Sequence, residues 1–160
     1  MDPDLKKQVL RKITYGMWVL ATGIDDELEA SSVTWVAQAG FAPPLVTVAL
    51  KADTRLAELV KKNRAFTMHL LSSEQQELAS SFIKPTETSK GRIGGLAFKP
   101  APITGTPLLD GFPCWFEARV TQLVEPGDHV LVVAEVVGVG AADIEAKPFT
   151  LAQAGWSYGG

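Results

Sequence analysis

The apolar positions of this chain follow a helical spacing once, near the start, and short strand-like runs for most of the remainder. Leu5, Val9 and Ile13 recur every four residues behind Asp2 and Pro3, which predicts a short capped helix to about Lys12. Ile13 to Thr22, rich in aromatic and β-branched residues, reads as a strand. A polar turn at Gly23–Glu27 leads to a second strand over Leu28 to Ala37. Pro43-Pro44 interrupts the ladder, and Leu45 to Lys51 is a third strand. Asp53 is placed to cap a helix over Thr54 to Lys62 that stops at Asn63. Ala65 to Leu71 reads as a fourth strand. Ser72 or Ser73, with Gln75 or Gln76 three residues on, predicts a boxed helix through Phe82.

Lys84 to Gly111 has weak periodicity and many Gly, Pro, Lys and Thr residues. It reads as a long loop, either a lid or a surface excursion. Trp115 to Val124 alternates, with Phe116, Ala118, Val120 and Val124 on one face and Glu117, Arg119 and Thr121 on the other. Pro126-Gly127-Asp128 is a turn. His129 to Val139 is apolar on both faces apart from Glu135, so one side suits a barrel core and the other a second subunit. The predicted architecture is one mostly β domain over 1–160, with minor α content. It is a Greek-key-like antiparallel barrel with short flanking helices, closure being the natural way to remove strand edges.

Composition narrows the function. The 160 residues are 46% hydrophobic, enough for one sizeable core. Fifteen basic against 18 acidic residues give a net charge of −3. The densest basic stretch, Lys6-Lys7 with Arg11-Lys12, reads as a solvated helix face rather than a nucleic-acid surface. The lone Cys114, in the apolar run Phe112 to Phe116, reads as a buried structural thiol, and nothing points to an oxidising compartment. His69, His129 and one cysteine offer no metal-ligand spacing. The charged N-terminus and the lack of a long apolar window predict a cytoplasmic protein outside the membrane.

No nucleophile elbow, P-loop or HExxH occurs, and Gly91-Arg92-Ile93-Gly94-Gly95 lacks the spacing of a phosphate loop. If the chain is an enzyme, a cofactor carries the chemistry. The informative segment is ASSVTWVAQAGFAPPLVTVALK at 30–51, where hydroxyl residues precede a Pro-Pro break, a strand and a capped helix. With ITYGMWVLATG, FTMHLLS at 66–72, GTPLLDG at 105–111, WFEARV at 115–120, GDHVLVVAEVV at 127–137 and the YGG at 158–160, the chain resembles the flavin reductase-like family with the FMN-binding split β-barrel fold.

The resemblance implies FMN at the barrel mouth of a homodimer, held near Ser32, Thr34, Trp35, Val36, Ala37 and Gln38. It implies phosphate near Lys51, Thr54 and Arg55, where a helix N-terminus favours an anion. Read alone, Ser31, Ser32 and Thr34 also fit the polar face of a strand, Trp35 fits packing, and Lys51 and Arg55 fit a solvated surface. Family members often carry Asn and Ser where this chain has Thr34 and Trp35, a small hydroxyl residue at Gln38, and Asn at His69. Flavin contacts are therefore expected to lean on backbone. His129, after Gly-Asp, is implied beside the nicotinamide, and Tyr158 near the flavin ring; their plain alternatives are an exposed strand opener and a frayed tail.

The implied activity is that of an FMN-dependent oxidoreductase taking hydride from NAD(P)H. It would pass electrons to a free flavin, a monooxygenase partner or another acceptor, with FAD also accommodated if the 84–111 segment makes room for an adenosine. The alternative is a flavin-binding electron-transfer protein without its own NAD(P)H site. A split barrel holding haem or a deazaflavin, or a barrel with no cofactor, completes the set.

Overall fold

The computed structural model describes residues 1–84 and 86–159. Among the described residues, eleven strands and three helices follow one another as α1 (Pro3–Leu10), β1 (Trp18–Ile24), β2 (Glu27–Val33), β3 (Val36–Phe41), β4 (Pro44–Lys51), α2 (Arg55–Asn63), β5 (Ala65–Leu70), α3 (Gln76–Ser81), β6 (Thr88–Ser89), β7 (Arg92–Ile93), β8 (Leu96–Pro100), β9 (Pro107–Leu109), β10 (Cys114–Val124) and β11 (His129–Ala141). Seven of the strands form one antiparallel sheet in the order β2-β1-β5-β10-β11-β4-β3. The mostly β, antiparallel class is as the sequence predicts, but the sheet is not closed: β2 and β3 are its two edges.

That arrangement explains several departures from the sequence reading. The run 28–37 is two strands, because the chain leaves the β1 edge after Val33 and joins β4 at Val36. The 84–111 segment is no bare loop. Its strands β6 to β9 form a second, four-stranded sheet; Pro85 lies outside the described residues. Gly94 sits there at φ 57°, where a Cβ would come within 2.9 Å of the Phe82 ring, so glycine meets both a left-handed turn and a close approach. The Gly91–Gly95 stretch is thus the short strand β7 with a turn at either end rather than a phosphate loop, and Arg92 Nη1 donates to Gly95 O at 2.6 Å.

Both faces of the central strands are buried. Val19 and Ala21 of β1 face one cluster with Met17, Leu28, Phe82, Ile93, Phe112 and Phe149; Leu20 faces the other with Phe66, Met68, Val48, Val130 and Val132. The alternation follows from the two-residue period of a strand. The first cluster is covered by the small sheet, α3 and the tail, and the second by α2, whose Leu56, Ala57, Leu59 and Val60 are buried. Thr54, rather than Asp53, caps α2: its Oγ1 accepts from Ala57 N–H, while Asp53 pairs with Lys51. In α3 no side chain caps the first turn. Half of the expected box is present, because Ser72 N–H donates to the Gln75 side chain at 3.0 Å. The face of α1 carrying Leu5 and Val9 is exposed, and Cys114 is half-buried, its Sγ donating to Asp143 O.

Two buried polar side chains tie the small sheet to the large one. His69, fully buried on β5, engages Val19 O through Nδ1 at 3.0 Å and accepts Leu109 N–H at Nε2 at 2.9 Å. The carbonyl partner fixes the proton on Nδ1, and the ring is neutral, since burial pushes its pKa down to about 4. Glu117, predicted on the face opposite Ala118, is also fully buried. A register shift between Glu117 and Ala118 breaks the alternation of β10, so both turn inward. Its carboxylate accepts from the N–H groups of Ile103 and Thr104 and from Thr104 Oγ1. Opposite it, a Cβ on Gly138 would lie 2.5 Å from Glu117 Oε1, which accounts for the glycine.

The imidazole has a consequence for stability. An unfolded chain takes a proton on His69 below about pH 6.5, whereas the folded chain resists until about pH 4. Folding stability therefore falls as pH drops through that window, by at most about 3 kcal/mol from this group. Urea unfolding at pH 7 and pH 4.5 is expected to show a smaller pH-dependent loss in His69→Gln than in the unsubstituted protein.

Candidate functional site

The seam between β2 and β3 is where the predicted site residues converge. A cavity of about 540 Å³ opens there. It is lined by the end of β2 and the link (Ser31 to Trp35), the end of β4 (Ala49 to Lys51), the start of α2 (Thr54, Leu56) and the tail (Trp156, Ser157, Tyr158), with Met17 and Ile83. Its volume suits a medium-sized organic ligand, and its mainly apolar walls carry hydroxyl residues of the β2 end and the tail, with Lys51 and Thr54 where α2 begins.

The link Thr34–Trp35 is held from both sides. Val36 N–H donates to Thr34 O, and Ala49 N–H donates to Trp35 O, each at 3.0 Å. Ser31 and Ser32 donate their hydroxyls to Phe82 O and Ala79 O, at 3.1 and 3.0 Å. These hydroxyls line the cavity, yet their protons satisfy carbonyls at the end of α3 and anchor that helix to the sheet edge. At the α2 end, Lys51 Nζ lies 3.1 Å from Asp53 Oδ2, and Thr54 Oγ1 donates to Lys51 O at 2.7 Å. The helix N-terminus thus faces the cavity with a lysine beside it.

Not every predicted residue is here. Arg55 does not line this cavity and pairs with Glu29 at 3.6 Å. Val36, Ala37 and Gln38 line a second, smaller groove with Trp18, Pro44, Leu45, Val46, Phe116 and Val136. That stretch belongs to β3, which pairs with β4 beyond the link, and the groove lies along this pair.

His129 and Tyr158 are brought together with Trp35. The His129 ring lies 4.7 Å from the Trp35 ring, and Tyr158 meets Trp35 edge-on at 5.2 Å. Tyr158 Oη is 2.9 Å from His129 Nε2, and Asp128 Oδ1 is 2.8 Å from His129 Nδ1. Burial raises the Tyr158 pKa above its ordinary value, which keeps the phenol protonated. The hydrogen bond from His129 lowers the Asp128 pKa, which keeps that carboxylate ionised. Tyr158 thus lies against Trp35 and His129 at the cavity; Gly160, the last residue of the terminal motif, lies outside the described residues. Sequence reasoning missed Asp128 as a partner, and missed Trp156 and Ser157 as cavity walls. The Gly-Asp-His run was the available signal for the first. Trp35 Nε1 is buried without a hydrogen-bond partner among the described residues.

The model of the flavin reductase like domain family matches residues 10–156. The chain is 27% identical over 137 residues to the NADH:FMN oxidoreductase of Rhodococcus erythropolis, covering 86% of this chain and 70% of that protein. It is 28% identical over 146 residues to diflavin flavoprotein A 1 of Synechocystis, covering 91% of this chain but 25% of that protein. The chain thus spans about a quarter of that longer relative. Among solved structures, the styrene monooxygenase flavin reductase from Pseudomonas putida S12 superposes with a TM-score of 0.75 at 26% identity, covering 92% and 91% of the two chains.

The two serine hydroxyls separate structure from binding. Ser32→Ala leaves Ala79 O without its donor and is expected to cost about 1 kcal/mol of unfolding free energy in urea.

Proposed function

We propose, from the premise that this chain belongs to the flavin reductase-like domain family, that it binds FMN in the 540 Å³ cavity and acts as an NAD(P)H-dependent flavin oxidoreductase. The observation that carries the reading is the cavity's polarity. Trp35, Trp156, Met17 and Ile83 offer an apolar chamber for a planar ring, and Lys51 with the α2 N-terminus offers an anion site at one end. A bound flavin would supply the redox chemistry, accepting hydride at N5 and passing electrons onward.

The chain's own residues have simpler tasks. Lys51 and Thr54 hold the phosphate end, and the tail with Trp35 excludes water from the ring. His129 orients the nicotinamide of the donor, and Tyr158 stands over the cavity beside it. None of the lining residues comes from 86–111, which favours FMN over the larger FAD. The edge strand β3, with Phe41 89% exposed at its end, supports a homodimer that covers this edge. A monooxygenase partner is the acceptor we favour, on the likeness to a styrene monooxygenase flavin reductase, and the setting we propose is cytoplasmic. No helix among the described residues is long and apolar enough to cross a membrane. The match to a quarter of a diflavin flavoprotein favours one second reading, a flavin-binding electron-transfer unit without its own nicotinamide site.

Anaerobic addition of NADH, then NADPH, to the flavin-loaded protein separates the two. Bleaching of the visible flavin bands by either donor within seconds is expected. Bands that resist both donors and bleach only with dithionite leave the electron-transfer reading, and a protein that takes up no FMN contradicts both. Lys51→Ala is expected to weaken FMN binding three- to tenfold while leaving riboflavin, which lacks the phosphate, within twofold; flavin fluorescence titration reads both.

A further inference from the structure

The Asp128–His129–Tyr158 chain runs from the solvent to the cavity. Asp128 sits in the turn before β11, and its backbone is fixed to the end of β4, since Ala52 N–H donates to Asp128 O at 2.9 Å. Its carboxylate is exposed, accepts only, and stands 2.8 Å from His129 Nδ1. It therefore places the imidazole proton on Nδ1. In the neutral ring this leaves Nε2 as a bare acceptor aimed at the Tyr158 hydroxyl 2.9 Å away. Tyr158 belongs to a tail that otherwise has few holds. Arg11 Nε donates to Gly159 O at 3.2 Å, and Gly159 lies against the Trp35 ring, where a Cβ would come within 2.8 Å of Cζ2.

We propose that Asp128 is a positioning residue which, acting through His129, latches Tyr158 and the 156–159 tail across the cavity, so that the latch governs how fast a bound ligand leaves. The latch rests on the flavin reading only for the identity of the ligand. The carboxylate reaches neither the cavity nor Tyr158 itself; it fixes one tautomer of a ring whose far nitrogen holds the tail. Trp35, half-buried against that tail, has its indole N–H buried and without a partner among the described residues, a polar group that costs free energy in this arrangement. The closed arrangement thus rests on the phenol–imidazole bond with only the Arg11–Gly159 bond and the Trp35 contact beside it, and the tail is held without being locked.

Two variants and two readouts test this. Asn favours the same turn as Asp, so Asp128→Asn keeps the turn and removes the fixed tautomer. Stopped-flow release of FMN is expected to quicken at least threefold in Asp128→Asn and in Tyr158→Phe. The double variant is expected to release no faster than Tyr158→Phe alone, because both substitutions break one latch. An Asp128 that merely shapes the turn would instead leave release unchanged in Asp128→Asn, or would multiply with Tyr158→Phe, and either result overturns the proposal. The second readout needs no flavin. In the ligand-free protein, heteronuclear NOE values of the Ser157, Tyr158 and Gly159 amides are expected to fall in Asp128→Asn. Values equal to those of the unsubstituted protein overturn the latch. Failure of all variants to bind FMN, with the tail loosened as expected, would sink the flavin reading and leave the latch standing.

Discussion

An open antiparallel sheet leaves two rows of unpaired backbone groups, and in this chain those rows belong to consecutive strands. β2 and β3 lie at opposite ends of the seven-strand order although only Thr34 and Trp35 separate them. The chain must therefore cross the seam, and each edge needs its own solution. Along β2 the solution is local cover: Phe82 O accepts Ser32 N–H, Thr86 Oγ1 donates to Ala30 O, and both serine hydroxyls reach the end of α3. Along β3 the described residues supply no such cover, and Ala37, Gln38 and Phe41 are exposed. The seam itself is the cavity. Its position follows from the failure of the sheet to close, and its walls are whatever the two edges, the end of β4 and the returning tail place around it.

Much of this was legible in the sequence. The strands of the large sheet were readable as β-branched and aromatic runs between turn residues, and α2 because its apolar stripe is regular. The link residues Thr34 and Trp35, the Lys51–Thr54 corner, and the pair His129 and Tyr158 were all named through the family resemblance and lie together. The misses have physical causes. Asp53 and Thr54 are adjacent, equally able caps, and the neighbouring Lys51 engages the carboxylate. Glu117 was set on the face opposite Ala118 because strict alternation demands it, and a register shift cancels that alternation. Gly138 and Gly140 on the partner strand were the only trace, since the side chains of Glu117 and Trp115 lie across them. Val36 to Gln38 continue the hydroxyl-rich segment without a break in composition, so nothing in the sequence marks their passage to another face.

The buried polar groups hold this frame at fixed points. His69 joins β1 to β9, and Glu117 with Thr104 holds the turn before β9 against β10. Thr67, Thr106 and Thr104 continue the contact as a chain of hydroxyls at 2.5 and 2.8 Å. Each member is satisfied, and such networks specify one arrangement of the parts they join. The small sheet is thereby fixed as cover for one core cluster and kept away from the cavity. The tail, by contrast, is held by few bonds, and those bonds meet at the cavity mouth.

The central claim is that the seam cavity, and not the neighbouring groove, is the flavin site. A titration of the isotope-labelled protein with FMN, followed through its backbone amide signals, tests it most directly. The account predicts shifts concentrated at residues 31–35, 49–54 and 156–158, with 36–38, 45–46 and 136 little changed. Shifts concentrated in the groove set, with the seam residues unmoved, would contradict it.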